Sequence, residues 1–144
     1  MNRFLFFTFL GLTLLPAVSL GEILSPKPGD PLRKAVLDSV RKPVEQELNQ
    51  EVLFKVHNLR VSDQWAFFTG LPLTKVGQKR IDYSRTKYAE AVEADMFEDW
   101  VCALLKRKGN KFVVVEYYIG ATDNVYSPWP SQYGASMALV YGEE

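Results

Sequence analysis

The spacing of apolar residues after position 30 predicts a long amphipathic helix. Within residues 31–48 the apolar positions recur every fourth residue, which places them on one helical face. They are Leu32, Val36, Val40, Val44 and Leu48. Asp30 and Pro31 supply an oxygen-bearing N-cap and a proline at the first helical position. Pro43 falls inside the pattern, so we expect a kink or a break into two short helices near Lys42.

Two alternating apolar segments follow and predict the first pair of strands. In residues 51–61 the apolar positions change parity partway, which indicates a bulge near His57 and Asn58. The second strand covers residues 65–73 and is expected to end at the glycine and proline of residues 70–72.

A β-hairpin is predicted within residues 100–123. Three basic residues lead into Gly109 and Asn110, which form the expected bend. In the following strand, simple alternation places Glu116 on one face of the sheet. The same face would carry Phe112, Val114 and Tyr118.

Two regions are less regular. Residues 74–99 begin with a basic loop and continue into an acidic segment, where residues 84–97 are expected to form a short helix. The tail after residue 123 is rich in proline, serine, glycine and aromatic residues, and we expect it to wrap back over the core. Trp129 and Tyr133 either pack there as a lid or stay exposed to stack on a sugar or peptide. Residues 137–141 would form an edge strand or lie along the sheet.

The N-terminus has the layout of a secretory signal peptide. Arg3 precedes an apolar run, and small residues then lead to a preferred cleavage site after Gly21. We therefore assign residues 1–21 to a signal peptide, 22–29 to a linker and 30–144 to a single α+β domain. The apolar run is shorter than the roughly 20 residues of a membrane span. The sequence thus predicts a periplasmic or secreted protein with no stable membrane anchor after signal cleavage.

Composition limits the expected chemistry. Lys and Arg number 17 against 17 Asp and Glu, so the charge balance does not favour nucleic acid. Cys102 is the single cysteine, which makes an internal disulfide impossible, and we expect it to be a buried, inert thiol. With His57 as the only histidine, a metal site is not expected, and no motif indicates a cofactor.

The order of elements predicts an α+β fold in which the N-terminal helix packs on a bent four-stranded antiparallel sheet. This order resembles the cystatin-like group, which includes nuclear transport factor 2-like domains. The segment from Gly109 through Phe112 to Glu116 is similar to the glycine, aromatic and valine-rich strand of such domains. The resemblance implies a bent sheet that encloses a conical cavity. The chain also resembles small secreted bacterial proteins of unknown function in the stretches RVSDQWAFF and VVEYYIGATD.

Two functional hypotheses follow. The first is a non-catalytic exported binding or accessory protein that engages an unknown protein or cell-envelope ligand. Its candidate ligand-binding residues are Trp65, Tyr118, Tyr126, Trp129 and Tyr133. The alternative is a small-cavity enzyme of the nuclear transport factor 2-like type. There a desolvated Glu116 would act as general acid or base, assisted by His57 or Tyr118. Glu116 could instead face solvent or pair with Arg60 or a hairpin lysine.

Overall fold

A four-stranded antiparallel sheet is the centre of the computed structural model, which describes residues 21–143. The strand order is β1-β2-β3-β4, and all three neighbouring pairs are antiparallel. In chain order the elements are α1 (Pro31–Leu48), β1 (Val52–Val61), β2 (Trp65–Thr74), α2 (Ala89–Glu93), β3 (Val101–Lys108), β4 (Lys111–Ile119), α3 (Trp129–Tyr133) and α4 (Met137–Tyr141). The predicted α+β class and four-stranded antiparallel sheet are confirmed. The predicted signal peptide lies outside the described residues, except for Gly21.

Helix α1 begins as its sequence predicts. The Asp30 carboxylate accepts a hydrogen bond of 2.8 Å from the Leu32 N–H, and Pro31 is the first helical residue. The predicted break near Lys42 is wrong, because the helix continues to Leu48 with Pro43 inside it. Val40 and Val44, on either side of the proline, are fully buried. We attribute the continuity to this packing, which outweighs the single backbone hydrogen bond that proline removes.

One face of the sheet packs against α1. The valines and Leu48 of the helix stripe form a single core cluster with the β-strand residues below them. The strand members are Val52, Leu59, Val61, Ala66, Phe68, Val101, Ala103, Leu105, Phe112 and Ile119. Polar side chains of α1 also bind backbone groups of both edge strands. Ser39 donates to the Phe112 carbonyl at 3.0 Å, and Arg41 donates to the Val52 carbonyl at 3.0 Å. These hydrogen bonds occupy backbone carbonyl groups that an edge strand would otherwise present to other chains.

The predicted bulge in β1 is confirmed. Val56 pairs with Gly70 and Asn58 pairs with Thr69, so His57 is the extra residue. The predicted second strand, residues 65–73, is confirmed to within one residue, since β2 is Trp65–Thr74, although Gly70 and Pro72 lie inside it and do not end it. Pairing between β2 and β3 stops at Gly70, so the following proline needs no N–H on that side.

A second bulge, in β4, was not predicted from the sequence. Leu104 pairs with Glu116 but Leu105 pairs with Val114, which leaves Val115 as the extra residue. Simple alternation is therefore wrong for this strand. Phe112 and Val114 belong to the α1 side of the sheet, together with Tyr117, whereas Glu116 points to the other side.

The tail covers the second face of the sheet. Trp129 is fully buried, which confirms that it packs as a lid, and it joins a separate core cluster. The other buried members are Phe67, Cys102, Leu104, Ala135, Leu139 and Val140. Of the two alternatives for residues 137–141, the edge strand is wrong, because these residues form α4, which packs against β1 and β2. Ser136 caps its start, and Arg60 donates to the carbonyls of Leu139 and Val140 at 3.0 Å each.

The insertion between β2 and β3 contains less helix than expected. Residues 84–97 were predicted to be helical, but only the five residues of α2 are. Local side-chain bonds compete with the helix at its start, where Ser84 donates to Asp82 and Thr86 donates to the Tyr83 carbonyl. Asp95, with φ of 57°, ends it. Across residues 21–143 no helix has the length and apolar character needed to cross a membrane.

Replacing Gly120 by alanine is expected to destabilise the fold by about 3 kcal/mol. Gly120 follows β4 with φ of +79°, and a Cβ there would lie 1.9 Å from the Phe97 ring. Gly109 is the matched control, because it has φ of +64° but open space around its Cβ position. Gly109→Ala should therefore cost only about 1 kcal/mol. Urea unfolding of both variants measures the difference, and equal losses would contradict the steric explanation.

Candidate functional site

Glu116 is held by two tyrosine hydroxyls on the tail side of the sheet. Tyr118 donates to its Oε1 at 2.8 Å, and Tyr133 of α3 donates to its Oε2. These hydrogen bonds raise the pKa of both tyrosines above the usual value. The Tyr118 ring also stacks on Trp129, with centroids 6.3 Å apart. Glu116 thus ties the tail to β4.

This arrangement differs from the environment expected for a catalytic Glu116. The carboxylate does not lie among Phe112 and Val114, because the β4 bulge turns those side chains to the other face. It does not pair with Arg60 either, since that guanidinium caps α4. His57 is on β1, the opposite edge strand from β4. Three strand spacings separate the two edges by about 14 Å. His57 is therefore not brought to Glu116, whereas Tyr118 is, as its hydrogen-bond donor.

Four of the residues predicted to bind a ligand, Tyr118, Tyr126, Trp129 and Tyr133, lie together on the tail side of the sheet, but as a packed cluster and not as an open site. Trp129 is fully buried, and the hydroxyls of Tyr118 and Tyr133 are engaged by Glu116. Trp65 lies beside the β3–β4 hairpin, where the Lys106 Nζ is 4.2 Å from its ring centroid. Only Tyr126 reaches a cleft that also contains another predicted residue, His57.

A second carboxylate, Glu47 of α1, joins the helix, the insertion and β4. It accepts hydrogen bonds from the hydroxyls of Tyr88 and Tyr117, and Lys87 Nζ lies 2.6 Å from its Oε1. Burial opposes ionisation of Glu47, but the hydrogen bonds from Lys87 and the two tyrosines outweigh it and lower the pKa. Burial, followed by the bond to Glu47, raises the pKa of Tyr117 to about 12.

Asp99 makes the third such contact, at the end of the insertion. The buried Tyr83 donates to its Oδ1, and Arg80 Nε lies 2.9 Å from its Oδ2. Burial is the main cause that raises the pKa of Tyr83, and the bond to Asp99 adds to it. Asp99 is therefore neutralised by partners inside the chain.

A cleft of about 420 Å³ lies at the β1 bulge, between the sheet, the end of the insertion and the start of the tail. It is lined by His57, Asn58, Thr69, Glu98, Asp99, Trp100 and Tyr126. Asn58 donates to the Thr69 hydroxyl at 3.0 Å, and Asp99 is engaged as described above. In contrast, the His57 ring, the Glu98 carboxylate and the Tyr126 hydroxyl form no hydrogen bond with any residue in the range 21–143.

Two aromatic rings form one corner of this cleft. Trp100 and Tyr126 stand at 88°, with centroids 6.0 Å apart. Trp100 Nε1 donates to the Ala121 carbonyl at 2.5 Å, which fixes the indole orientation. Tyr126 packs edge to face on Phe67, with centroids 5.2 Å apart. Both rings are thus positioned by the fold before any ligand binds.

Most of the cleft residues were not identified from the sequence. His57 is identified from the sequence as the only histidine, and Tyr126 as part of an aromatic tail. No sequence pattern indicates that the two residues lie in the same cleft. The sequence places Glu98 in the acidic segment before residue 100 and Trp100 at the start of the predicted hairpin. The sequence does contain one signal for the cleft, because two acidic residues, Glu98 and Asp99, directly precede Trp100.

Cys102 and the acidic residues offer no further centre. Cys102 is fully buried on the tail side of β3, and burial raises the pKa of its thiol to about 12. Among residues 21–143, no three side chains of the histidine, cysteine, aspartate or glutamate type come together as metal ligands.

No protein-family model, no curated protein and no solved structure matches this sequence. The geometry alone therefore defines the class. It is a small α+β protein with a four-stranded antiparallel sheet and an acidic, aromatic-lined cleft at the bulge of an edge strand.

Replacing Glu47 by glutamine should lower the free energy of unfolding by about 1 kcal/mol at pH 7, because charged hydrogen bonds become neutral ones. The folded-state pKa of Glu47 is lowered, so this stabilisation is complete above the usual glutamate pKa of about 4.3. It is lost as the pH falls through the lowered value. The difference between the wild type and the variant should therefore shrink below about pH 4.

Urea unfolding at several pH values measures that difference. Glu90→Gln is the matched control, since Glu90 is an exposed carboxylate of α2 with no side-chain hydrogen bond in the described range. A Glu47→Gln effect that is independent of pH, or equal to that of the control, would contradict the assigned role.

Replacing Glu116 by leucine should lower the free energy of unfolding by about 1 kcal/mol, because the Tyr118 and Tyr133 hydroxyls lose their acceptor. Limited proteolysis should also cut faster within the tail. A double-mutant cycle with Tyr133→Phe isolates the bond and should return a coupling of at least about 0.5 kcal/mol. A leucine variant more stable than the wild type would contradict this, because it would show that the Glu116 carboxylate lowers the free energy of unfolding.

Proposed function

We propose that this chain is an exported, non-catalytic binding protein whose ligand occupies the cleft at the β1 bulge. The observation that carries the proposal is the convergence of His57, Glu98 and Tyr126 on one cleft. None of their side-chain polar groups has a hydrogen-bond partner in the part of the chain described, although most other tyrosine hydroxyls of the chain do. Five of its seven tyrosines donate to a carboxylate, and Tyr126 does not.

The size and composition of the cleft support this role. A volume of about 420 Å³ is within the range of small-molecule sites. Trp100 and Tyr126 supply apolar surface, while Asn58 and Glu98 supply polar groups that can orient a ligand. Binding would therefore require no motion of the backbone that frames the cleft.

Export and a cystatin-like architecture are parts of the same proposal. The apolar run after Arg3 supports export, and a periplasmic or secreted protein would meet cell-envelope ligands or extracellular proteins. An N-terminal helix lying against an antiparallel meander supports the cystatin-like assignment. The ligand cleft we propose lies at the sheet edge and not in a central conical cavity.

The alternative of an enzyme using Glu116 gains no support from the geometry. Both Glu116 oxygens accept tyrosine hydrogen bonds, and His57 lies on the opposite edge strand. The single histidine is therefore not within reach to exchange a proton with Glu116. The binding role is therefore the one we retain.

Nitrogen-15 NMR spectra of the purified protein test the proposal. The probes are N-acetylglucosamine, acetate and choline, which are neutral, anionic and cationic. At least one should shift the amide signals of His57, Asn58 and Tyr126 in a saturable way. If none of the three shifts these signals, or if the saturable shifts lie elsewhere, the proposed site is wrong.

Paired ring deletions localise the effect. Tyr126→Leu should reduce the affinity for the active probe at least threefold, since it removes one wall of the cleft. Tyr133→Leu is the matched control, because Tyr133 is another tail tyrosine that does not line the cleft and, within residues 21–143, forms no ring pair with Tyr126. Equal losses in both variants would indicate a general effect on the tail.

A further inference from the structure

We propose that the ligand carries a cationic ammonium group, held against the corner of Trp100 and Tyr126 with Glu98 as its counter-ion. This inference rests on the proposed function, because it assigns a ligand class to the same cleft. Three independent observations support it, namely the charge of the lining, the geometry of the rings and the behaviour of the other aromatic residues.

The lining of the cleft favours a cation. It contains two carboxylates and no lysine or arginine. Asp99 is already balanced by Arg80 and bonded to Tyr83. Glu98 is exposed and has no ion-pair or hydrogen-bond partner among residues 21–143, so its charge faces the cleft without compensation. A ligand cation would provide that compensation.

The sign of the charge changes across the bulge. A smaller depression of about 210 Å³ lies on the linker side of His57 and Asn58 and is lined by Lys27, Arg33 and Arg60. A cationic ligand would be repelled there and an anionic one attracted. A cationic probe should therefore bind the cleft and not the basic depression, and an anionic probe should show the opposite preference.

The ring geometry suits an ammonium group. Cations bind over aromatic faces within about 6 Å of the ring centroid, and tryptophan is the strongest partner. Trp100 and Tyr126 meet at 88°, so a group in their corner can contact both rings. The bond from Trp100 Nε1 to Ala121 and the packing of Tyr126 on Phe67 fix this corner in advance, which reduces the entropic cost of binding.

The chain pairs many of its other aromatic rings with its own cations. Six rings in the described range have a lysine or arginine over them. They are Phe54, Trp65, Phe67, Tyr83, Tyr88 and Phe112. Trp100 and Tyr126 are not among them, although they lie beside an uncompensated carboxylate. The faces of Trp100 and Tyr126 therefore carry no cation from the described part of the chain.

The test compares choline with 3,3-dimethylbutan-1-ol, which has the same shape and no charge. Both are titrated into the purified protein while the amide signals of the cleft are followed by NMR. Choline should bind at least threefold more tightly, and 0.5 M NaCl should weaken choline but not the alcohol. Equal affinities would overturn the inference, because the cleft would then select only for apolar shape.

Charge variants complete the design. Glu98→Gln should weaken choline about threefold and leave the alcohol unchanged. Glu93→Gln makes the same change of net charge on α2, outside the cleft, and should leave both ligands unchanged. If both variants weaken choline equally, the effect is one of overall charge and the assigned counter-ion is wrong.

The outcomes separate this inference from the proposed function. If N-acetylglucosamine or acetate shifts the cleft signals and choline does not, the cleft binds ligands but the ammonium assignment fails. If none of the probes shifts them, both proposals fail. Choline shifts confined to the amides beside Lys27 and Arg33 would also overturn the assignment.

Discussion

The burial of β3 on both faces is the constraint on which the rest of the structure depends. Residues 101–105 are fully buried, so their side chains need a cover on each side of the sheet. On one side α1 provides a long apolar stripe. On the other side the helices among residues 21–143 are two five-residue ones, α3 and α4. Helices so short are not stable alone, so the second cover depends on packing and on specific polar contacts.

Tyrosine hydroxyls bound to carboxylates hold segments in place on both faces of the sheet. Glu116 joins the tail to β4, Glu47 joins α1 to the insertion and β4, and Asp99 holds the buried Tyr83. A hydrogen bond to a charged group contributes about 1.5–3 kcal/mol, against a typical domain stability of about 5–15 kcal/mol. A tyrosine also buries a large apolar ring while its hydroxyl reaches the carboxylate. The covers thus gain apolar contact and a defined position from the same residues.

Elements that depend on local periodicity could be predicted from the sequence. Elements that depend on contacts between distant residues could not. The α1 stripe, the bend at Gly109 and the β1 bulge follow from residues close in sequence. The β4 bulge does not, because Val113 to Val115 are all apolar and no change of parity marks the extra residue. Helix α4 depends on Arg60, which lies 79 residues before Leu139, and no local pattern shows that cap.

The same distinction explains why the cleft was not predicted. Its walls come from three separate parts of the chain, represented by His57, Glu98 and Tyr126, which meet only when the insertion and the tail have packed against the sheet. A ligand that bridges these parts binds the closed arrangement and not the unfolded chain, so its binding free energy adds to stability. The cleft lies where strand pairing is interrupted by the bulge, beside the end of the insertion and the start of the tail. Polar groups without internal partners are tolerated at such a boundary because water can reach them, and a ligand can replace that water without disturbing the core.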